Sequence, residues 1–201
     1  MNRYTAYVFD LDGVVRDFAP GSADGAIETA LGLPAGSVAA TAFRDDLLVP
    51  TIRGLQSFEQ WYGAICIELE QVVAEPGEVR AQMQAWHAHR GTPISETVER
   101  LTSLRADGRR TYVFTNGTDH VPTELELLGV SGLFDAVLNS ADFGVAKPDA
   151  EAYAAAHQSI ELDLGRWVAG HEVWFTDDRV ANVEAARDFG WHAELFLPTS
   201  T

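Results

Sequence analysis
Four aspartates stand where short apolar runs stop: Asp10 and Asp12 in VFDLDG, and Asp177 and Asp178 in VWFTDD. A third run, YVFTNG, ends in Thr115 and Asn116, and a weaker one, FDAVLNSAD, is followed by Lys147 in GVAKPDAEAY. Each type has a role if the chemistry is phosphoryl transfer. Asp10 and Asp178, with a backbone carbonyl of Asp12, offer hard oxygens to Mg²⁺, which takes few protein ligands and keeps waters. Crowded carboxylates need such a cation, since unscreened like charges raise one another's pKa. Asp10 can attack phosphorus to form an aspartyl-phosphate. Asp12 can protonate the leaving oxygen and then deprotonate the attacking water. Thr115 and the backbone N–H of Asn116 can hold phosphoryl oxygens while Lys147 neutralises charge.

Lys147 is the only lysine in the chain, and the other thirteen cationic side chains are arginines. Arginine is a planar fork, whereas lysine delivers a compact charge on a slim stem. A site that keeps lysine against such a bias is expected to be a narrow anionic pocket.

These side chains need elements that bring them together. YTAYVF (4–9), RTYVFTNG (110–117), FDAVLNSAD (134–142), HEVWFTDD (171–178) and HAELFL (192–197) read as buried strands. Helical stretches alternate with them: PISETVERLTSLRADG, with Pro93 and a capping spacing at Ser95 and Val98 that lacks the acid, then DHVPTELELLG, PDAEAYAAAHQ and RVANVEAARDFG. Alternation predicts an α/β fold, a Rossmann-like parallel sheet with right-handed crossovers whose ligands bind at the carboxyl ends of the strands. Residues 19–92 break the rhythm with helices and no convincing strand, as in SFEQWYGAICIELEQVV and PGEVRAQMQAWHAH. They are expected to form a small helical cap inserted in a core of 1–18 and 93–201, packed on the sheet because no flexible linker flanks them.

Quoted in order, VFDLDGVV, VFTNG, FGVAKPDAEAY and WFTDDRVANVEAARDFGW resemble the motifs of the haloacid dehalogenase superfamily, and especially its capped phosphatases. The resemblance covers nearly the whole chain. It implies Asp10 as nucleophile, Asp12 as acid/base, Thr115 and Lys147 as phosphate binders, and Asp178 as a Mg²⁺ ligand supported by Asp177. The dehalogenases of that family lack an acid two residues past the nucleophile, because a halide leaves without a proton, so Asp12 points to phosphate ester hydrolysis. Arg179 stands where a small residue such as serine is common, and is expected to face solvent.

A net charge of −16 opposes nucleic-acid and anionic membrane partners. The single cysteine, Cys66, lies in an apolar run and reads as a packing residue. With no secretory segment or membrane span in the pattern, the expected location is cytoplasmic. His87 and His89, two apart, point away from each other on a helix and read as surface or cap residues. The substrate expected under a cap is a small phosphorylated metabolite, such as a sugar phosphate, with Arg44 and Arg53 as chargeable specificity candidates and Trp61 and Tyr62 as aromatic ones. A phosphomutase, a 2-haloacid dehalogenase and a non-catalytic ligand-binding member stand as alternatives.

Overall fold
A computed structural model describes residues 4–18 and 22–198. Its centre is a five-stranded parallel sheet of β1 (Ala6–Phe9), β4 (Arg110–Thr115), β5 (Ala136–Asn139), β6 (Val173–Asp177) and β7 (His192–Leu195), in the order β5-β4-β1-β6-β7. Helices cover both faces, so the central strands are apolar nearly throughout. Along β1, β4 and β6 alternate side chains go to opposite faces. Val8, Phe114 and Phe175 join Tyr153 and Ala186, from α9 (Ala150–Leu164) and α10 (Val180–Phe189), on one side. Phe9, Val113 and Trp174 join Leu101 and Leu125, from α6 (Ser95–Ala106) and α7 (Val121–Leu127), on the other. The register Phe9↔Val113 and Phe9↔Thr176 brings the carboxyl ends of β1, β4 and β6 level. That level edge is what gathers the polar residues ending each run.

Between β1 and α6 come β2 (Arg16–Asp17), α1 (Asp24–Leu31), α2 (Ser37–Ala42), α3 (Asp45–Ile52), α4 (Phe58–Glu70), α5 (Val79–Ala88) and β3 (Thr92–Pro93). The five helices bury a core of their own around Ile27, Val38, Trp61, Ile65 and Met83. Cys66 is fully buried in it, which suits the packing role expected for it. Ser57 and Gln60 close a reciprocal capping box at the start of α4, and the Trp61 indole N–H donates to the Ala42 carbonyl at 3.0 Å.

Two details depart from the sequence pattern. β2 and β3 form an antiparallel pair at the foot of the helical insert, Arg16 opposite Pro93; two residues per strand are too short for periodicity to register. Pro93 therefore lies in a strand, and α6 takes Ile94 at its N-cap with no side-chain cap, so Ser95 does not cap as its spacing suggested. The insert rests on the sheet unit at Gly54, whose φ of +68° sets its backbone against Ala141, where a Cβ would sit 2.1 Å from the carbonyl oxygen. Phe58 N–H also donates to Asp119 Oδ1 at 2.7 Å. Among the described residues no helix is long and apolar enough to cross a membrane.

Candidate active site
Lys147 organises the sheet edge. It follows α8 (Ser140–Phe143), and its backbone is held by the Asn116 side chain: Lys147 N–H donates to Asn116 Oδ1 and Asn116 Nδ2 donates to the Lys147 carbonyl, each at 2.8 Å. The side chain then runs under the rim. Nζ donates to Asp10 Oδ1 at 2.8 Å, Asp177 Oδ2 at 2.7 Å and the Phe114 carbonyl at 2.8 Å, while lying over the Phe114 and Phe175 rings. Its three donors are all used in a space where it is 5% exposed. So narrow a shaft suits the slim stem and compact charge of lysine better than a planar guanidinium, in an otherwise arginine-rich chain.

Burial and charge set the proton affinities. Burial alone would lower the Lys147 pKa, but Asp10 and Asp177 outweigh it and hold the ammonium above its ordinary value. Burial pushes Asp10 up to about 7; Lys147 opposes the rise, and Asp177 and Asp12 add to it. Asp178 is raised by partial burial and by neighbouring Asp177. Asp177, fully buried, accepts from both Lys147 and Asn182 Nδ2, and its Oδ1 accepts the Arg179 N–H at 2.9 Å.

One carboxylate oxygen from each of Asp10, Asp177 and Asp178 can come within 4.8 Å of the others. Two of the three already face the ammonium, whereas the Asp178 carboxylate turns to the open side. This donor set of hard, crowded oxygens fits a Mg²⁺ ion. Gly13 makes room for it: at φ +82°, a Cβ there would lie 2.4 Å from Asp178 Oδ2.

A cavity of about 350 Å³ opens over this cluster, lined by Asp10, Asp12, Thr115, Lys147, Asp178 and Arg179 among others. All the motif residues singled out in the sequence thus converge. Asn116 contributes its side chain to positioning Lys147, a use its turn-like sequence setting did not suggest. Arg179 is exposed, as expected, yet it lines this cavity.

The two specificity arginines do not reach it. Arg44 is engaged by Asp46 and Glu68 on the helical insert, and Arg53 by Asp149 at 2.9 Å across the seam with the sheet unit; neither lines the cavity. Tyr62 stacks on Trp86. His87 faces Glu59, while His89 packs on Phe18.

Sequence reasoning missed Arg16. This side chain is 4% exposed, and donates from Nε to Asp12 Oδ1 at 2.6 Å and from Nη1 to Glu124 Oε2 at 2.7 Å. Its position four residues past Asp12 was the available signal, but a strand this short gave no reason to expect the side chain to turn back.

A parallel sheet with a buried lysine–aspartate cluster at its carboxyl edge gives an α/β fold with a candidate site at that edge. The family model of the haloacid dehalogenase-like hydrolases matches residues 4–190, and the chain belongs to that family. A HAD family enzyme of Bacteroides thetaiotaomicron, solved in complex with magnesium and inorganic phosphate, superposes with a TM-score of 0.73 at 17% identity, over 98% of this chain and 96% of that one. The L-2-haloacid dehalogenase of Xanthobacter autotrophicus, with chloropropionic acid covalently bound, gives 0.65 at 22% identity, over 94% and 76%. At these identities both likenesses show the fold alone. A mouse protein, acyl-CoA dehydrogenase family member 10, is 24% identical over 195 residues. The match covers 94% of this chain but only 17% of the mouse protein.

Proposed function
We propose that this hydrolase is a phosphatase acting on a small phosphomonoester. The observation that carries the reading is Asp12, two residues past Asp10, its carboxylate half exposed on the cavity and fixed by Arg16. An alkoxide leaving group needs a proton, and a halide does not.

In the first step an Asp10 oxygen attacks phosphorus, the ester P–O bond breaks, and Asp12 gives its proton to the departing oxygen. In the second, water attacks phosphorus and loses a proton to Asp12; the Asp10–phosphorus bond breaks and inorganic phosphate leaves. Thr115 and the N–H groups after β4 are the candidate holders of the phosphoryl oxygens. Lys147 keeps Asp10 oriented and offsets its charge. Asp10 and Asp178, supported by Asp177, would hold Mg²⁺, which would offset the charge of the phosphoryl group when bound. The helical insert, residues 19–92, serves as a cap on a core formed by 1–18 and 93–201, closing the site to bulky esters.

The test is phosphate release from a panel of phosphomonoesters with and without Mg²⁺, for wild type, Asp10→Asn and Asp12→Asn. Metal-dependent release that vanishes in Asp10→Asn and falls about 10²–10⁴-fold in Asp12→Asn supports the reading. Halide release from 2-chloropropionate without phosphate release would overturn it, and phosphate passed to a sugar-phosphate acceptor instead of water would make the protein a mutase.

A further inference from the structure
A second cavity of about 350 Å³ lies between the sheet edge and the helical insert. It adjoins the first at Asp12, Phe18 and Asn116, which line both. Asp12, Asp24 and Glu124 line the second as well, beside Arg16 and Arg90, and what sets it apart is its apolar wall. The second is walled by Phe43, Leu48, Ile52, Phe58, Trp61 and Trp86, all from the insert. Trp61 spends its N–H on Ala42 and meets Trp86 edge to face at 5.4 Å, so ring carbon is what Trp61 has left to offer. Phe43 stays 59% exposed beside the buried helical core, and Phe18 stands at the junction under the Arg16 guanidinium, 4.6 Å from its ring centroid.

Some polar side chains of this chamber are committed, while Arg90 Nε is buried without a hydrogen bond and Asp24 and His89 also line it. Arg16 is bonded to Asp12 and Glu124, and Asn116 to the Lys147 backbone. A sugar buried here would set several of its hydroxyls against the apolar wall, and each one left unpaired there is costly. An apolar group loses nothing of the kind and gains contact with the rings. The volume falls in the ~300–1,000 Å³ range of small-molecule sites.

We propose that this chamber receives the leaving group of the phosphate ester, and that the group is an uncharged aromatic or branched aliphatic alcohol rather than a sugar, a substrate class that rests on the phosphatase reading above. Hydrolysis then consumes one water and releases that alcohol, carrying the proton from Asp12, together with phosphate. The aromatic wall holds the alcohol while Asp10 and Lys147 engage the phosphoryl group. This narrows the sugar-phosphate expectation drawn from the cap's presence alone.

The experiment compares kcat/KM for 2-phenylethyl phosphate, ethyl phosphate and glucose 6-phosphate, all esters of primary alcohols, in wild type and Phe43→Asp. Alongside, each protein is titrated with phosphate-free 2-phenylethanol and read by tryptophan fluorescence. Burying one phenyl ring predicts a preference of about 30-fold for the phenylethyl ester over the other two. In Phe43→Asp the phenylethyl-to-ethyl ratio is expected to fall about tenfold, and 2-phenylethanol binding to weaken with it. Phosphate release with a ratio near one, or with glucose 6-phosphate preferred, would overturn the substrate class and leave the phosphatase reading intact. Release from none of the esters, with 2-phenylethanol still bound and weakened by Phe43→Asp, would overturn the phosphatase reading and keep the chamber's ligand class.

Discussion

Arg16 Nε donates to Asp12 Oδ1 at 2.6 Å, and the same guanidinium donates to Glu124 Oε2 on α7 at 2.7 Å. The candidate acid/base is therefore tied to a helix of the sheet unit through a side chain that itself lies in β2, at the foot of the insert. Arg16→Met should lower kcat about 10–100-fold by freeing Asp12. It also leaves Glu124, which is 7% exposed, with only the longer Arg90 contact at 4.0 Å, at a cost of up to about 3 kcal/mol. The double variant Arg16→Met/Glu124→Leu separates the effects: thermal stability returns and kcat does not. Full recovery of kcat would mean that Arg16 acts only on stability.

A larger cation is expected to fail at position 147. Lys147→Arg should not seat a planar fork beside the Phe114 and Phe175 rings, and Lys147→Met should leave Asp10 facing Asp177 without the ammonium. Both variants are expected to lose at least about 10³-fold in kcat, with a stability loss of about 3–5 kcal/mol in Lys147→Met. Phosphate-release kinetics and denaturant titration read the two losses. An active Lys147→Arg would contradict the narrow-shaft account.

The metal-free protein should lose stability as pH rises toward neutrality. Asp10 is raised from 3.8 to about 7, so between those values the folded state binds more protons than the unfolded chain. The stability this contributes is complete below pH 3.8 and is gone once pH passes 7. Mg²⁺ needs the carboxylate, so the rise in Tm on adding millimolar Mg²⁺ should be larger at pH 8 than at pH 6. A Mg²⁺-induced shift that is equal at the two pH values, or larger at pH 6, would contradict the assignment of Asp10 as a ligand.

Gly13→Ala tests the approach of backbone to metal cluster. The new Cβ meets Asp178 Oδ2 at 2.4 Å, and φ +82° strains it further. Asp178 must move, so Mg²⁺ affinity measured calorimetrically should fall at least about tenfold while the fold persists, the backbone strain costing about 1–3 kcal/mol. Unchanged affinity would remove Asp178 from the ligand set.

Arg53→Ala should alter kcat/KM less than about twofold. Its partner Asp149 is 46% exposed, and such surface pairs contribute about 0–1 kcal/mol. A large change confined to KM would restore Arg53 as a specificity residue.

Most of the sheet was legible because fully buried strands leave a simple mark. YVF, YVFT and VWFT are apolar on both faces, and each stops at a polar residue where the strand emerges at the sheet edge. Asp10, Asp12, Thr115, Asp177 and Asp178 could be singled out for the same reason, and Lys147 as the only lysine of the chain. Arg44 and Arg53 were picked as the cap's cations, but a sequence does not show that Asp46, Glu68 and Asp149 stand close enough to engage them. Arg16 and Glu124 lie 108 residues apart, and their pairing depends on how β2 meets α7.

By itself the sequence determined the alternation of strands and helices, the interruption by helices after the first strand, and the set of residue types at the strand ends, because each is a local consequence of which side chains shun water and which do not. Only the tertiary structure decided the partners: that Lys147 lies between Asp10 and Asp177, that Arg16 holds Asp12, and that six apolar side chains of the insert line one wall of a chamber beside Asp12. Those are distances between residues remote along the chain, and they are set by how helices pack on a sheet, which no local pattern records.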